Sequence, residues 1–199
     1  MSDHYYTNKP QSKHAPQHWT YQLRGHSFTF TSDAGVFSKK GIDYGTRLLI
    51  ENFEEPSIAG NILDLGCGYG PIGIALAHSF PQRHIVMTDI NHRAIQLTQQ
   101  NITRNHIQNS TVHYSDLFEG IQGQTFASIV SNPPIRAGKK IVHQIFEQSK
   151  EALLPSGELW IVIQKKQGAP SAKEKLTTLF GNVEIVNRRK GYFILKASK

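Results

Sequence analysis

The stretch LDLGCGYGPIG, Leu63 to Gly73, decides how the rest of the chain is read. Leu63 and Leu65 belong to a short apolar run, Gly66, Gly68 and Gly70 let the backbone turn sharply, and Pro71 suits the first turn of a helix. A strand that passes into a helix through such a turn begins a parallel α/β sheet, with the ligand held at the turn. Outward from it the alternation continues. HIVMTD (84–89), TVHYSD (111–116), FASIVS (126–131) and ELWIVI (158–163) read as strands. Between them PIGIALAHSF (71–80), HRAIQLTQQNITRNH (92–106) and KIVHQIFEQSKEALL (140–154) read as helices, the first carrying Pro71 in its opening turn and the second capped by Asn91. SAKEKLTTLF (171–180) opens with a capping box, Ser171 with Glu174. NVEIV and YFILKA are joined by Asn187 to Gly191 and predict a terminal hairpin that puts an antiparallel strand on the sheet edge. Upstream, DYGTRLLIENF reads as a helix capped by Asp43, and TYQLRGHSFTFTSDAGVFS as a short hairpin around Gly25. The expected fold is α/β, a Rossmann-like doubly wound sheet, mostly parallel with one antiparallel strand in its edge region.

Composition narrows the setting. The 199 residues suit one large domain, or one domain with a short appendage. One cysteine, Cys67, allows no internal disulfide and no cysteine-based zinc site, and the ten histidines lack metal-ligand spacing, so no metal is expected. No apolar run is long enough to span a bilayer, and the first residues lack the apolar core of a signal peptide; a cytoplasmic setting is the expectation. Lys and Arg number 22 against 15 Asp and Glu, a net charge of +7 that bears on partners rather than fold.

Read literally, Gly68, Gly70 and Gly73 spell G-x-G-x-x-G, and Asp89 closes the next strand 19 residues after Gly70. A carboxylate there suits ribose hydroxyls, whether of a nicotinamide cofactor or of S-adenosylmethionine. Asp64 tilts the choice. A carboxylate ahead of the first glycine would crowd a pyrophosphate, but it can organise the loop or meet the ammonium and sulfonium of S-adenosylmethionine. Asp116 ends the third strand where an adenine amino group would lie, or else caps a turn. Cys67 sits within the loop as a small packing residue.

ILDLGCGYGPIGIALA followed by TDIN, YSDLF and SNPPI resembles the class I S-adenosylmethionine-dependent methyltransferases over roughly residues 35 to 197. FSKKGIDYGTRLLIE and NPPIRAGK resemble, more narrowly, the small-domain ribosomal RNA guanine-N2 methyltransferases, whose members include two-domain enzymes; this chain matches the catalytic domain. The resemblance implies an N-terminal extension with a hairpin over 1–40 and a methyltransferase domain over 41–199. It implies that S-adenosylmethionine is held by Asp64, Gly66, Cys67, Gly68, Gly70, Asp89, Ile90, Asp116, Leu117 and Asn132.

Asn132, Pro133 and Pro134 carry the chemistry. An exocyclic amine is a poor nucleophile because its lone pair is delocalised into the ring. The Asn132 side-chain carbonyl and the Pro133 backbone carbonyl can each accept one of its N–H bonds and aim the lone pair, which is catalysis by orientation and fixed dipoles. The prolines hold both acceptors still. The substrate side comprises Pro134, Ile135, Arg136, Lys139, Lys165 and Arg188. Ile135 stands where many amino methyltransferases carry an aromatic residue that stacks on the base, a part left to Phe37 or Tyr44. Arg136, Lys139 and Lys140, then Lys165 and Lys166, then Arg188, Arg189 and Lys190, with Lys39 and Lys40, are expected around one mouth, as a phosphate backbone requires. Ribosomal RNA or a ribosomal subunit is the expected partner. The same Asn-Pro-Pro site could serve a protein glutamine or DNA adenine, and a nicotinamide oxidoreductase or a non-catalytic RNA-binding relative complete the alternatives.

Overall fold

The structure, a computed structural model, describes residues 15–38 and 41–199. The expected hairpin is present as β1 (Gln17–Leu23) and β2 (His26–Ser32), paired antiparallel with Leu23 opposite His26. Its apolar side chains Leu23, Phe28 and Phe30 join the same buried cluster as Tyr69 and Phe53, so the hairpin shares the main core. Helix α1 (Tyr44–Asn52) is capped by Asp43, whose Oδ1 accepts the N–H groups of Gly45 and Thr46.

The alternation then runs β3 (Ile62–Leu65), α2 (Pro71–Ser79), β4 (Ile85–Asp89), α3 (His92–Arg104), β5 (Ser110–Tyr114) and β6 (Phe126–Ser131). It closes with α4 (Lys139–Ala152), β7 (Leu153–Gln164), α5 (Ala169–Phe180), β8 (Val183–Arg189) and β9 (Tyr192–Ser198). The seven-stranded sheet has the order β5-β4-β3-β6-β7-β9-β8. β3 and β6, buried along their whole length, are neighbours, and the strand order reverses between them. That reversal opens a crevice beyond their carboxyl ends, the usual ligand site of such a sheet. Helices cover both faces: α1, α2 and α3 with the hairpin pack one cluster, α4 and α5 the other.

Three expectations are corrected. The antiparallel strand is not on the edge: β9 runs antiparallel between β7 and β8, and β8 takes the edge. β9 buries Ile194, Leu195 and Ala197 whereas β8 carries Glu184, Arg188 and Arg189 exposed, so the more apolar strand occupies the inner place. The capping box at Ser171 is absent, because α5 starts at Ala169 after Gly168 in the left-handed conformation, with Pro170 in the first turn and no side-chain cap. Pro170 was the stronger start signal. Strand β7 also begins at Leu153, inside the stretch expected to be helical.

The hairpin is fastened to α3 by two asparagines. Asn101 Oδ1 accepts the Thr31 N–H at 2.8 Å while its Nδ2 donates to the Thr31 carbonyl, and Asn105 treats Thr29 in the same way. Two side-chain amides thereby stand in for a neighbouring strand along β2.

Candidate active site

The glycine loop folds as it does because two carboxylates hold it. Asp64, within β3 and fully buried, accepts the Gly73 N–H through Oδ2 at 2.8 Å, fixing the first turn of α2. The missing side chain of Gly73 makes room for Met87 of β4, whose Sδ a Cβ would meet at 2.3 Å, and for Asp64 Oδ2, which it would meet at 3.1 Å. Asp89, at the end of β4, accepts the Gly68 N–H through Oδ2 and the Asn91 N–H through Oδ1, both at 2.8 Å. The N–H groups of Gly66 and Cys67 donate to the Thr88 carbonyl. Gly70 occupies the N-cap of α2.

Burial pushes the Asp64 carboxyl up to about 7, only partly offset by the Gly73 N–H, with the nearby Asp89 adding to the rise. Burial likewise pushes Asp89 up to about 6 against the hydrogen bonds that favour its charged form. The Cys67 thiol is driven well up by burial and by both carboxylates, which keeps it inert; its Sγ rests 3.7 Å from Thr98 Oγ1.

These residues fit a cationic, adenosine-bearing cofactor. Asp64 Oδ1 is buried without a hydrogen-bond partner, an arrangement that a ligand ammonium would relieve. Gly66 and Gly68, at φ 77° and 60°, leave open space where a side chain would project. Ile90 lies between Asp89 and the Asn91 cap of α3. Asp116 is exposed after β5 and caps no turn through its side chain; its carbonyl accepts the Glu119 N–H, and Leu117 follows at φ 48°.

Across the crevice, Ser131 Oγ donates to the Leu65 carbonyl and ties the ends of β6 and β3 together. Asn132 comes next, half-buried. Its Nδ2 donates to Thr46 Oγ1 at 2.8 Å and lies 3.5 Å from Asp43 Oδ2. A carboxylate only accepts, so the amide nitrogen must face α1 and the carbonyl oxygen the crevice. Among the described residues nothing donates to that oxygen, which is therefore available to a substrate N–H. Thr46, buried and 86 positions from Asn132, was not foreseen from the sequence; Asp43 was foreseen only as a helix cap. Pro133 is buried, and Pro134 leads into a single 3-10 turn over Ile135–Ala137.

The substrate-side candidates part company here. Ile135 packs into the second cluster, beside a cavity of about 140 Å³ lined also by Lys139, Val142 and His143. Arg188 stacks over Phe193 at 4.7 Å, on the α5 side of the sheet. Arg136, Lys139 and Lys140 follow β6, Lys165 and Lys166 follow β7, and Arg188, Arg189 and Lys190 end β8, all exposed on the carboxyl rim. The Lys165 N–H donates to the Gly191 carbonyl at 2.7 Å, joining two of these clusters. Lys39 and Lys40 lie outside the described residues. Phe37 is exposed, on a segment whose Gly35 carbonyl accepts from Asn91, and so belongs to the Asp89 side. No three His, Cys, Asp or Glu among the described residues are placed to hold a metal ion, and no described helix is long and apolar enough to cross a membrane.

Comparison with known proteins bears on the family and the fold. The family described as "Methyltransferase small domain" matches residues 27–196. "Uncharacterized protein YbxB" of Bacillus subtilis (strain 168) is 60% identical over 200 residues, the whole of both chains. "Ribosomal RNA large subunit methyltransferase G" of Klebsiella pneumoniae subsp. pneumoniae is 29% identical over 197 residues, 96% of this chain and 51% of that one. Among solved structures, the T. thermophilus 16S rRNA N2 G1207 methyltransferase RsmC, in complex with AdoMet and guanosine, superposes with a TM-score of 0.82 at 24% identity, covering 96% of this chain and 52% of that one. The chain thus spans about half the length of these two ribosomal RNA methyltransferases. The family model spans most of the chain, and the sheet order and glycine loop are those of a doubly wound, ligand-binding fold: the chain belongs to the methyltransferase small-domain family, class I methyltransferases that take their methyl group from S-adenosylmethionine.

Proposed function

We propose that this protein methylates an exocyclic amine of RNA, guanine N2 in ribosomal RNA, acting in the cytoplasm on the RNA or on a ribosomal subunit. The observation that carries the reading is the Asn132 amide, held by Thr46 with its oxygen turned to the crevice. When bound, S-adenosylmethionine supplies an electrophilic methyl group on a sulfonium.

The chain's own residues do the rest. Asp64 and the glycine loop would hold the cofactor, with Asp89 toward its ribose and Asp116 and Leu117 toward its adenine. Asn132 Oδ1 and the Pro133 carbonyl accept the two N–H bonds of the amine, hold it still and turn its lone pair toward the methyl carbon. Because Thr46 fixes the amide beforehand, little reorganisation remains for the transition state. The amine sheds its proton after transfer, so no strong base is required.

Exposed cations after β6, β7 and β8 favour a polyanionic substrate, and the rRNA relatives and the guanosine-bound neighbour favour guanine N2. A protein glutamine or a DNA adenine would use the same acceptors but, for glutamine, would have no need of a basic rim. The test is transfer of a labelled methyl group from S-adenosylmethionine into ribosomal subunits, free ribosomal RNA, DNA and soluble protein from a strain lacking the gene. Label in RNA, released on digestion as N2-methylguanosine, is the expected result; label in protein or DNA with RNA unmarked overturns the reading.

A further inference from the structure

We propose that Tyr44 and Tyr192, with Lys190 over the Tyr44 ring, form the surface on which the substrate nucleobase stacks beside Asn132. The inference rests on the RNA reading above and deepens it.

A base presented to Asn132 needs an apolar face to lie against, since base–aromatic stacking is a main source of single-strand RNA affinity. Ile135, the nearest large side chain after the prolines, offers no ring and packs into the second cluster. The other flank of Asn132 is the start of α1. Asp43 approaches the Asn132 amide, and Tyr44 follows it directly. The Tyr44 ring meets the Tyr192 ring at a centroid distance of 5.6 Å and an interplanar angle of 51°. Both rings pack against the main core yet stay partly exposed, Tyr44 at the start of α1 and Tyr192 at the start of β9 opposite Gln164, where β7 ends.

Two backbone features hold this arrangement. Gly45 lets α1 press against the Tyr192 ring, since a Cβ there would lie 2.8 Å from its Cε1. Lys190 occupies the tight turn between β8 and β9 at φ 48°, a conformation that costs a lysine more than a glycine or an asparagine. From there its Nζ lies 5.0 Å from the Tyr44 ring centroid. Two rings that merely pinned the last hairpin to α1 would need no cation above them. A nucleotide uses both parts, the rings for its base and the ammonium for its phosphate.

The test uses the full chain and compares leucine with phenylalanine at each tyrosine. Leucine keeps the bulk that a packing role requires, and phenylalanine keeps the face that stacking requires. Y44L and Y192L are expected to raise KM for the RNA roughly tenfold each, with cofactor Kd and melting temperature unchanged, whereas Y44F and Y192F behave as the wild type. Leucine variants with wild-type KM, or phenylalanine variants as defective as leucine ones, overturn the proposal. Guanosine 5′-monophosphate is titrated in parallel, following the NMR signals of the two rings. Shifts of both rings in the wild type, reduced at the remaining ring in each leucine variant, support the platform, and unmoved ring signals in the wild type overturn it even if methyl transfer to RNA is found. Failure of the RNA reading shows instead as absence of label from every RNA fraction with the wild-type protein.

Discussion

The two walls of the crevice are wired over very different distances. On the cofactor wall the bonds are short in sequence: Asp64 to Gly73, Gly68 to Asp89, Asp89 to Asn91. They join segments already adjacent in one β-α-β unit, and they close on themselves except at Asp64 Oδ1. On the substrate wall the amide of Asn132 depends on Thr46, 86 positions away, and the rim on turns from three strands. The cofactor wall therefore draws mainly on one β-α-β unit, apart from the longer bond of Asn91 to the Gly35 carbonyl. The substrate wall exists only when the whole sheet is assembled, and changing one loop can retune it without disturbing the other.

That contrast can be broken by mutation, beginning where the largest effect is expected. Asn132→Ala removes an acceptor from the substrate wall alone. Methyl transfer should fall about 10²- to 10³-fold, while calorimetric titration with S-adenosylmethionine gives an unchanged Kd. Activity within about tenfold of the wild type would falsify the mechanism.

Asp64→Asn strikes the other wall. Cofactor affinity should drop roughly tenfold to a hundredfold, since a charge-assisted contact is lost. The unliganded variant at pH 8 should melt no lower than the wild type, because the native carboxylate is buried with one oxygen unpartnered. The sign follows from burial, which raises the Asp64 carboxyl from 3.8 to about 7. The unliganded fold thus favours the protonated acid, and its stability declines as pH climbs from about 4 through 7. Binding of a cationic ligand needs the carboxylate and should strengthen over the upper part of the same range. Melting curves with and without cofactor at pH 5.5, 6.5 and 7.5, below the range where the ligand's own α-ammonium loses its proton, in wild type and Asp64→Asn, isolate this group from the rest. A cofactor-induced shift that shrinks with rising pH is the result that sinks it.

Thr46→Val keeps the shape of the side chain and removes one hydrogen bond. A roughly five- to tenfold lower kcat is expected, with cofactor Kd unchanged and activity restored by Thr46→Ser. An equal loss in the serine variant would make Thr46 a packing residue only. The smallest effect belongs to the rim: Lys165→Ala with Lys166→Ala should weaken RNA binding and lower the slope of log affinity against log salt by up to about 2. An unaltered slope would detach these lysines from the RNA.

How much of this was legible in the sequence follows the same division. Asp64, the glycines, Asp89 and the helix caps Asp43 and Asn91 were readable because each acts within a few residues of its signal or at a spacing set by one β-α-β unit. Asn132 was readable because two prolines mark it. Thr46 was not, since no local pattern announces a partner across the sheet. Tyr192 was hidden for a related reason: its neighbour Tyr44 depends on β9 entering the sheet inside β8, and the sequence reading had the antiparallel strand at the edge. Ser171 misled because a local capping motif lost to Gly168 and Pro170 just before it.

The asparagine clasp on β2 has a consequence in time. Thr31 is translated 70 residues ahead of Asn101, which at ordinary rates of synthesis is roughly 4 to 14 s. Throughout that interval the nascent hairpin presents a strand edge with no neighbour, and the mature protein does not. Chaperone capture should therefore favour chains stalled before α3 has emerged over chains stalled after it, and cross-linking on ribosomes arrested at the two lengths would read the difference.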